Sequence, residues 1–350
     1  MRHDGLRRAA AGEGGGSSRH TDLPEGAPLD VVVLGLGEIG RLVAGHASRH
    51  PDLRLVGVVD PALAGTRLRE LVAEAPNLVV EKDPAAVYRK ARGGVALICT
   101  GSTLEAVAPA IEAAVGAGLH VVSTCEELAA PRFVDPELAD TLDLAAKRSG
   151  VAILGTGVNP GFVLDRLVVT LGAVVGDVRK VEATRRVDLG TRRRALRKKI
   201  GLGLSLEEFE ERGEAGELGH VGLSESCALV ADGLGLTVDE VEEELEPVVA
   251  EREITLGDET IAAGRIRGLR QIARAFDEGR EVIRLTLELA AGVTDPEDRI
   301  RVDADPPIEL AIPGGIQGDR ATAWAVVNAA PRVAAAEAGI IEVLDLPAGR

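Results

Sequence analysis

Residues Asp30 to Gly40 read Asp-Val-Val-Val-Leu-Gly-Leu-Gly-Glu-Ile-Gly, an apolar run that breaks into G-x-G-x-x-G, and Asp60 follows Gly40 by twenty residues. That spacing predicts one βαβ unit. Val31, Val32, Val33 and Leu34 suit a strand covered on both faces, as in a parallel sheet. Gly35 makes the tight turn, Gly37 lets the backbone approach a pyrophosphate, and Gly40 lets the helix pack closely on the strand. Glu38 and Ile39 open a helix running roughly to Arg49, whose N-terminal amides and positive dipole end face the phosphates. A second apolar run, Leu55 to Val59, ends at Asp60, where a carboxylate accepts hydrogen bonds from the adenosine ribose hydroxyls. A nicotinamide dinucleotide is therefore the expected cofactor. Asp60 favours NAD, because the 2′-phosphate of NADP would meet a carboxylate there, while Arg67 nearby leaves NADP use open.

The 350 residues allow about two domains with a sizeable core. A net charge of −16 with only 2% aromatic residues argues against nucleic acid, which needs a basic surface and rings for bases to stack on. Cys99, Cys125 and Cys227 are sparse and far apart. They favour a reducing cytoplasm over a disulfide framework and offer no metal spacing. No stretch approaches ~18 uninterrupted apolar residues, so no membrane span is expected. The basic N-terminus lacks the apolar centre of a secretory signal.

Residues 1–28, rich in Gly, Ala, Ser and Arg, read as a disordered leader. Over 29–157 strands alternate with helices, the signature of an α/β, Rossmann-type doubly wound parallel sheet. Further strands are expected at Leu78–Val80, Val95–Cys99, His120–Ser123 and Val151–Leu154, with helices at Leu104–Gly118 and Asp135–Arg148. Residues 158–313 predict a second, α+β domain with an open, largely antiparallel sheet. Its strands are Val178–Val187, Val282–Glu288, Arg299–Val302 and Ile308–Ile312. Ser205-Leu206-Glu207-Glu208 and Thr237-Val238-Asp239-Glu240 both read as capping boxes that start helices. The exposed face of such a sheet suits a homodimer. Over 314–350 an alanine-rich helix, about Asp319 to Ala338 and kinked or interrupted at Pro331, is expected to return to the dinucleotide domain, since its Ala, Val and Trp324 need cover.

In doubly wound sheets, ligands sit at the carboxyl ends of the strands. Thr100, Gly101, Ser102 and Thr103 lie at one such end and can line the nicotinamide ribose, or Ser102 and Thr103 can cap the next helix; the roles are compatible. Glu126 and Glu127 follow a buried strand, beside the expected nicotinamide position. Partial burial raises a glutamate pKa toward neutrality and makes a usable general base. The alternative is a pair of solvated acids favoured by a helix dipole. Glu126 is the preferred base because its side chain should leave the strand end toward the cofactor, and Glu127 stays open. In Gly-Thr-Gly-Val-Asn-Pro-Gly-Phe, from Gly155 to Phe162, Asn159 and Pro160 are placed at the cofactor, with Asn159 orienting a carboxamide or substrate. A plain Asn-Pro turn at a domain hinge is the other reading. Phe162, Arg193 and His220 are the substrate-side candidates. Arg193 belongs to a basic cluster with Arg185, Arg186, Arg192, Arg194, Arg197, Lys198 and Lys199, which could bind a substrate carboxylate or form a solvated face.

Together these segments resemble the 2,4-diaminopentanoate dehydrogenases and the related native amine dehydrogenases, among proteins with a dihydrodipicolinate-reductase-like dinucleotide domain. The matching stretches are Val31–Gly40, Val121–Leu128, Gly155–Phe162, Lys199–Leu204, Gly219–Ser226 and Gly314–Asp319. The resemblance implies NAD(P)-dependent oxidative deamination of a primary amine, reversible as amination of a carbonyl with ammonia. It implies that the glutamate after the fifth strand, Glu126 here, serves the chemistry. Gln317 stands where many relatives carry histidine. Dihydrodipicolinate reductases carry a His-His pair, and no two histidines are adjacent in this chain. Two rivals remain at this level. One is an acylating aldehyde or semialdehyde dehydrogenase with Cys125 as nucleophile, although an apolar-flanked thiol is usually inert packing. The other is a non-catalytic dinucleotide sensor whose acidic helices, such as Asp239 to Glu246, bind partner proteins.

Overall fold

The computed structural model describes residues 27–191, 194–256 and 259–347, so the leader expected over 1–28 lies outside the described residues save its last two positions. The chain divides into two units. One holds the residues up to Gly161 together with those from Gln317 onward; the other spans Phe162–Ile316. The divisions fall a few residues beyond those read at 157 and 313.

The first unit is built on β1 (Leu29–Leu34), β2 (Leu53–Val59), β3 (Val95–Ile98), β4 (His120–Ser123) and β5 (Ala152–Gly155). Every neighbouring pair is parallel. Each residue of β3, β4 and β5 is buried, which accounts for strands that read as unbroken apolar runs. Crossover helices cover the faces. Helix Pro136–Ser149 shows why they form where they do: Leu138 N–H donates to Asp135 Oδ1 at 3.0 Å, Pro136 fills the first turn, and Gly150 ends the helix at φ 70°. Residues Leu78–Val80 do not form the strand expected of them. Val79 makes an isolated bridge with Arg67, and Glu81, one residue beyond, makes another with Val59.

The second unit carries β6 (Gly176–Asp188), β7 (Glu240–Val249), β8 (Ile254–Leu256), β9 (Glu259–Ile261), β10 (Ile266–Asp277), β11 (Arg280–Ala290), β12 (Glu297–Asp305) and β13 (Ile308–Pro313). Six of these form a sheet in the order β13-β12-β6-β11-β10-β7, in which only β6 and β11 run parallel. One face is apolar, with Val181, Ala183, Leu269, Ala273, Ile283 and Leu285 buried. On the other face, Glu246, Arg270, Glu288, Arg186 and Glu297 stand opposite one another across five strands and alternate in sign. Arg270 pairs with Glu246 at 3.3 Å and with Glu288 at 3.1 Å. Opposite charges on adjacent strands are a favourable cross-strand pairing.

That ladder explains a correction. Ser205 does cap helix Leu206–Glu214 through a reciprocal box with Glu208. Thr237 starts no helix, however, because Asp239 to Glu246 runs into β7. There the alternate acids Glu242, Glu244 and Glu246 lie opposite Arg274, Ile272 and Arg270 of β10. The acidic helix invoked for a partner-binding sensor is therefore absent from this segment.

The chain ends in helix Gly318–Ala334 and β14 (Gly339–Ile341), both in the first unit. The helix runs through Pro331 without interruption. Trp324 finds its cover on His46 of helix Glu38–Ala47, the rings stacked with centroids 4.0 Å apart. β14 pairs parallel with β5 and completes a six-stranded sheet, β14-β5-β4-β3-β1-β2. The sixth strand is thus C-terminal and takes the place of Leu78–Val80 in the count.

Candidate functional site

The turn after β1 has the geometry its glycines require. Gly35 sits at φ +83°, where a side chain is strained, and a Cβ on Gly40 would fall 1.8 Å from the Gly35 carbonyl oxygen. Gly37 is exposed, and a Cβ there would meet nothing within 4 Å. No side chain caps helix Glu38–Ala47, so the amides of its first turn and the positive end of its dipole are left to a ligand or solvent. Asp60, just past β2, reaches back to the loop: Leu36 N–H donates to Oδ2 at 2.8 Å, and Ala62 N–H donates to Oδ1 at 2.9 Å. Glu38 is exposed and Ile39 half-buried at the helix start. Uncapped amides, open space over Gly37 and an acid at the second strand end fit a dinucleotide phosphate and ribose.

The ends of β3 and β4 are joined by a dense set of hydrogen bonds. Ser123 Oγ donates to the Ile98 carbonyl at 3.1 Å and accepts from Cys125 N–H at 3.1 Å. Thr124 N–H donates to the same Ile98 carbonyl at 3.0 Å. Thr103 occupies the N-cap of helix Leu104–Gly116, yet its hydroxyl makes no cap bond. The amide of Leu104 donates instead to Glu127 Oε2 at 2.6 Å, and Glu127 N–H donates to the Ser102 carbonyl at 3.2 Å. Glu126 and Glu127 are both half-buried. Thr100 and Thr103 are exposed and Gly101 and Ser102 half-buried, all in this one strand-end cluster. A serine closing a short apolar strand was the available signal for the bridging role of Ser123.

The loop from Gly155 to Gly161 adjoins this cluster. Thr156 N–H donates to the Ser123 carbonyl at 2.9 Å, and Val158 N–H donates to Thr322 Oγ1 at 3.2 Å. Gly161 sits at φ +121° with its Cβ position 2.5 Å from the Gly157 nitrogen, so only glycine fits. Between them Asn159, joined to Pro160 by a cis bond, holds both side-chain amide atoms buried and without a partner. A buried carboxamide that satisfies neither donor nor acceptor is costly and marks a place where a ligand can supply both.

The other candidates separate. Phe162 is exposed and opens the second unit. His220 lies in that unit, its N–H donating to Gln271 Oε1 at 2.8 Å and its carbonyl accepting from Gln271 Nε2 at 2.7 Å. Arg193 lies outside the described residues, as does Arg192. Much of the remaining basic cluster is committed within the chain. Arg185 pairs with Asp298 at 3.2 Å in the interior, Arg186 with Asp295 at 2.7 Å, and Arg197 with Glu259 at 3.2 Å. These arginines are paired with acids of their own unit. Cys125 is 1% exposed, and burial pushes its thiol up to about 12. A thiol so placed is not ionised near neutral pH and makes a poor nucleophile, which removes the main support for the acylating rival.

Residues 162–350 match the family model of the 2,4-diaminopentanoate dehydrogenase C-terminal domain. The 2,4-diaminopentanoate dehydrogenase of Acetoanaerobium sticklandii is 28% identical over 337 residues, covering 92% of this chain and 94% of its own length. The amine dehydrogenase of Streptomyces virginiae is 27% identical over 360 residues, covering 91% and 96% respectively. Among solved structures, an amine dehydrogenase from Mycobacterium smegmatis shares the fold with a TM-score of 0.81 at 22% identity, over 95% of this chain and 98% of that one. The chain belongs to the 2,4-diaminopentanoate dehydrogenase family, and with it to the dehydrogenases that act on amines.

Proposed function

We propose that this chain catalyses the reversible, NAD(P)-dependent oxidative deamination of a primary amine, with Glu126 as the general base. The observation that carries the reading is the position of Glu126, half-buried just past β4, at the strand ends where the bond from the Leu104 amide to Glu127 ties the Thr100–Thr103 loop to the same segment. The glycine loop, Asp60, Thr100–Thr103 and Asn159 are the residues that would hold the dinucleotide, whose nicotinamide supplies the hydride acceptor when bound. Asn159 would orient its carboxamide.

The protein's own work is proton handling. An amine enters as an ammonium, whose nitrogen lone pair is tied up by a proton, so its α-carbon cannot release hydride. Glu126 takes that proton. That proton passes to solvent before the next step. After hydride loss Glu126 takes a proton from the water that adds to the carbon and hands it to the nitrogen, so that ammonia leaves as the new hydroxyl gives up its proton to form the carbonyl. A positioned base of this kind contributes about 10²–10⁴-fold.

The test is Glu126→Gln, with cofactor reduction followed at alkaline pH on 2,4-diaminopentanoate, simple primary amines and short aldehydes in parallel. Turnover of amines by the natural chain, its loss in the variant, and unchanged dinucleotide affinity are expected. Near-full amine oxidation by the variant would move the base elsewhere. NAD is the preferred cofactor on the strength of Asp60. A homodimer in a reducing cytoplasm is the proposed setting, supported by the broad charged sheet face and three free cysteines. Light scattering at low and high salt tests the assembly. Among the described residues no helix is long and apolar enough to cross a membrane.

A further inference from the structure

We infer that Glu127 is the positioning residue of this site, acting at once on the dinucleotide loop and on Glu126. The second half of that statement rests on the reading of Glu126 as base; the first half does not.

Helix Leu104–Gly116 begins with no cap from its own N-cap side chain. Its first amide is satisfied by a carboxylate 23 residues further along the chain, on the segment after β4. The main chain of the same residue returns a hydrogen bond to Ser102. The two bonds run in opposite senses, one from each strand-end segment, and form a two-point staple: the loop Thr100–Thr103 cannot turn about one bond without breaking the other. The carboxylate also sits at the positive end of the helix dipole.

Glu126 has little slack on either side of this staple. Behind it, Cys125 N–H is held by Ser123 Oγ at 3.1 Å. Ahead, Ala129 N–H donates to the Glu126 carbonyl at 3.1 Å, and Leu128 and Ala129 are buried. Gly155 packs on them so closely that a Cβ would fall 2.4 Å from the Leu128 carbonyl carbon. From the short Glu126–Ala129 segment, the Glu127 side chain reaches the start of the helix that follows the cofactor loop. Base and loop are thereby kept at a fixed separation, and a displacement of about 1 Å in such an arrangement costs on the order of 10²-fold in rate.

The experiment compares Glu127→Ala, Glu127→Gln and Glu126→Gln in the full-length chain, measuring NADH affinity by fluorescence titration and amine oxidation across a pH series. Glu127→Ala should weaken NADH binding about five- to tenfold, the scale of one lost helix cap. It should lower kcat about 10–100-fold without moving the midpoint of the pH profile. Glu127→Gln, whose amide oxygen still accepts from Leu104, should rescue most of both losses. Glu126→Gln should lower kcat and leave affinity alone. Natural affinity and kcat in Glu127→Ala would overturn the staple. So would loss of the pH-dependent limb in Glu127→Gln with affinity intact, since Glu127 would then be the proton acceptor. If Glu127→Ala yields no folded protein, the Glu127→Gln and Glu126→Gln pair decides by the same criterion. Should Glu126→Gln oxidise amines normally, the base assignment falls, while the affinity loss in Glu127→Ala still upholds the staple.

Discussion

Asp60 holds the amide of Leu36 at 2.8 Å, so the acid that closes the second strand also fixes the middle of the glycine turn. Its other oxygen accepts from Ala62 at 2.9 Å. Removing it costs the loop a charge-assisted anchor and, on the proposed function, would cost the cofactor a ribose acceptor. Asp60→Ala should lower kcat/KM with NAD by about 10–100-fold, matching the roughly 1.5–3 kcal/mol of hydrogen bonds to a charged group. The NADP value should fall less, because a carboxylate no longer faces the 2′-phosphate. An unchanged ratio of the two efficiencies would refute the assignment.

Asn159 predicts a trade between stability and binding. Its two amide atoms are buried without partners in the ligand-free chain. Asn159→Leu should therefore leave the ligand-free enzyme as stable as before or raise its stability by about 1–3 kcal/mol, the desolvation cost of the orphaned groups. The same change should weaken dinucleotide binding, and thermal melts with and without NADH read both effects. A lower melting point in the absence of cofactor, with affinity retained, would make Asn159 a structural residue only.

For Cys125 the expected outcome is persistence. The buried thiol, pushed up to about 12, should resist alkylation at pH 8, and Cys125→Ala should keep amine oxidation. Inactivation by an alkylating reagent, with a burst of reduced cofactor on aldehydes, would restore the acylating reading.

His120 ties pH to folding. Burial holds its imidazole below the usual histidine value, and Ala152 N–H donates to Nδ1 at 3.0 Å, so the ring is kept neutral. A folded-state value below the unfolded one means that the unfolded chain binds more protons in acid. The stability linked to this ring is thus fully present above about pH 6.5 and is lost as pH falls from there toward the depressed folded value. His120→Asn keeps an acceptor for Ala152 and cannot titrate. Denaturant melts from pH 7.5 to 5 should show a shallower acid loss in the variant than in the natural chain, and parallel curves would sink the claim.

What could be read from the residues, and what could not, divides by the range of the interactions involved. The first βαβ unit was legible because each of its signals is local: buried apolar strands, Gly35 and Gly40 at positions that admit no Cβ, and an acid at a strand end. Glu126 and Glu127 were placed at a strand end by the same local logic, but the bond that ties Glu127 to the Leu104 amide joins positions 23 residues apart and has no local sign. Thr237 misled because a local cap pattern coincides with a strand whose acids find Arg270 and Arg274 on β10, and nothing near Thr237 announces those partners. β14 is only three residues long and exists by virtue of its pairing with β5. The bridging work of Ser123, and of Gln271 beneath His220, likewise becomes visible only when distant segments meet.

The late arrival of β14 sets a timetable for synthesis. The open side of β5 waits for the chain to grow by roughly 190 residues, about 10–40 s at ordinary bacterial and eukaryotic elongation rates. Throughout that interval a nascent polypeptide displays a bare hydrogen-bonding edge, the kind of surface that recruits stray strands or a chaperone. A message truncated before Gly339 would leave that edge uncovered permanently, and its product would be expected in inclusion bodies rather than in solution.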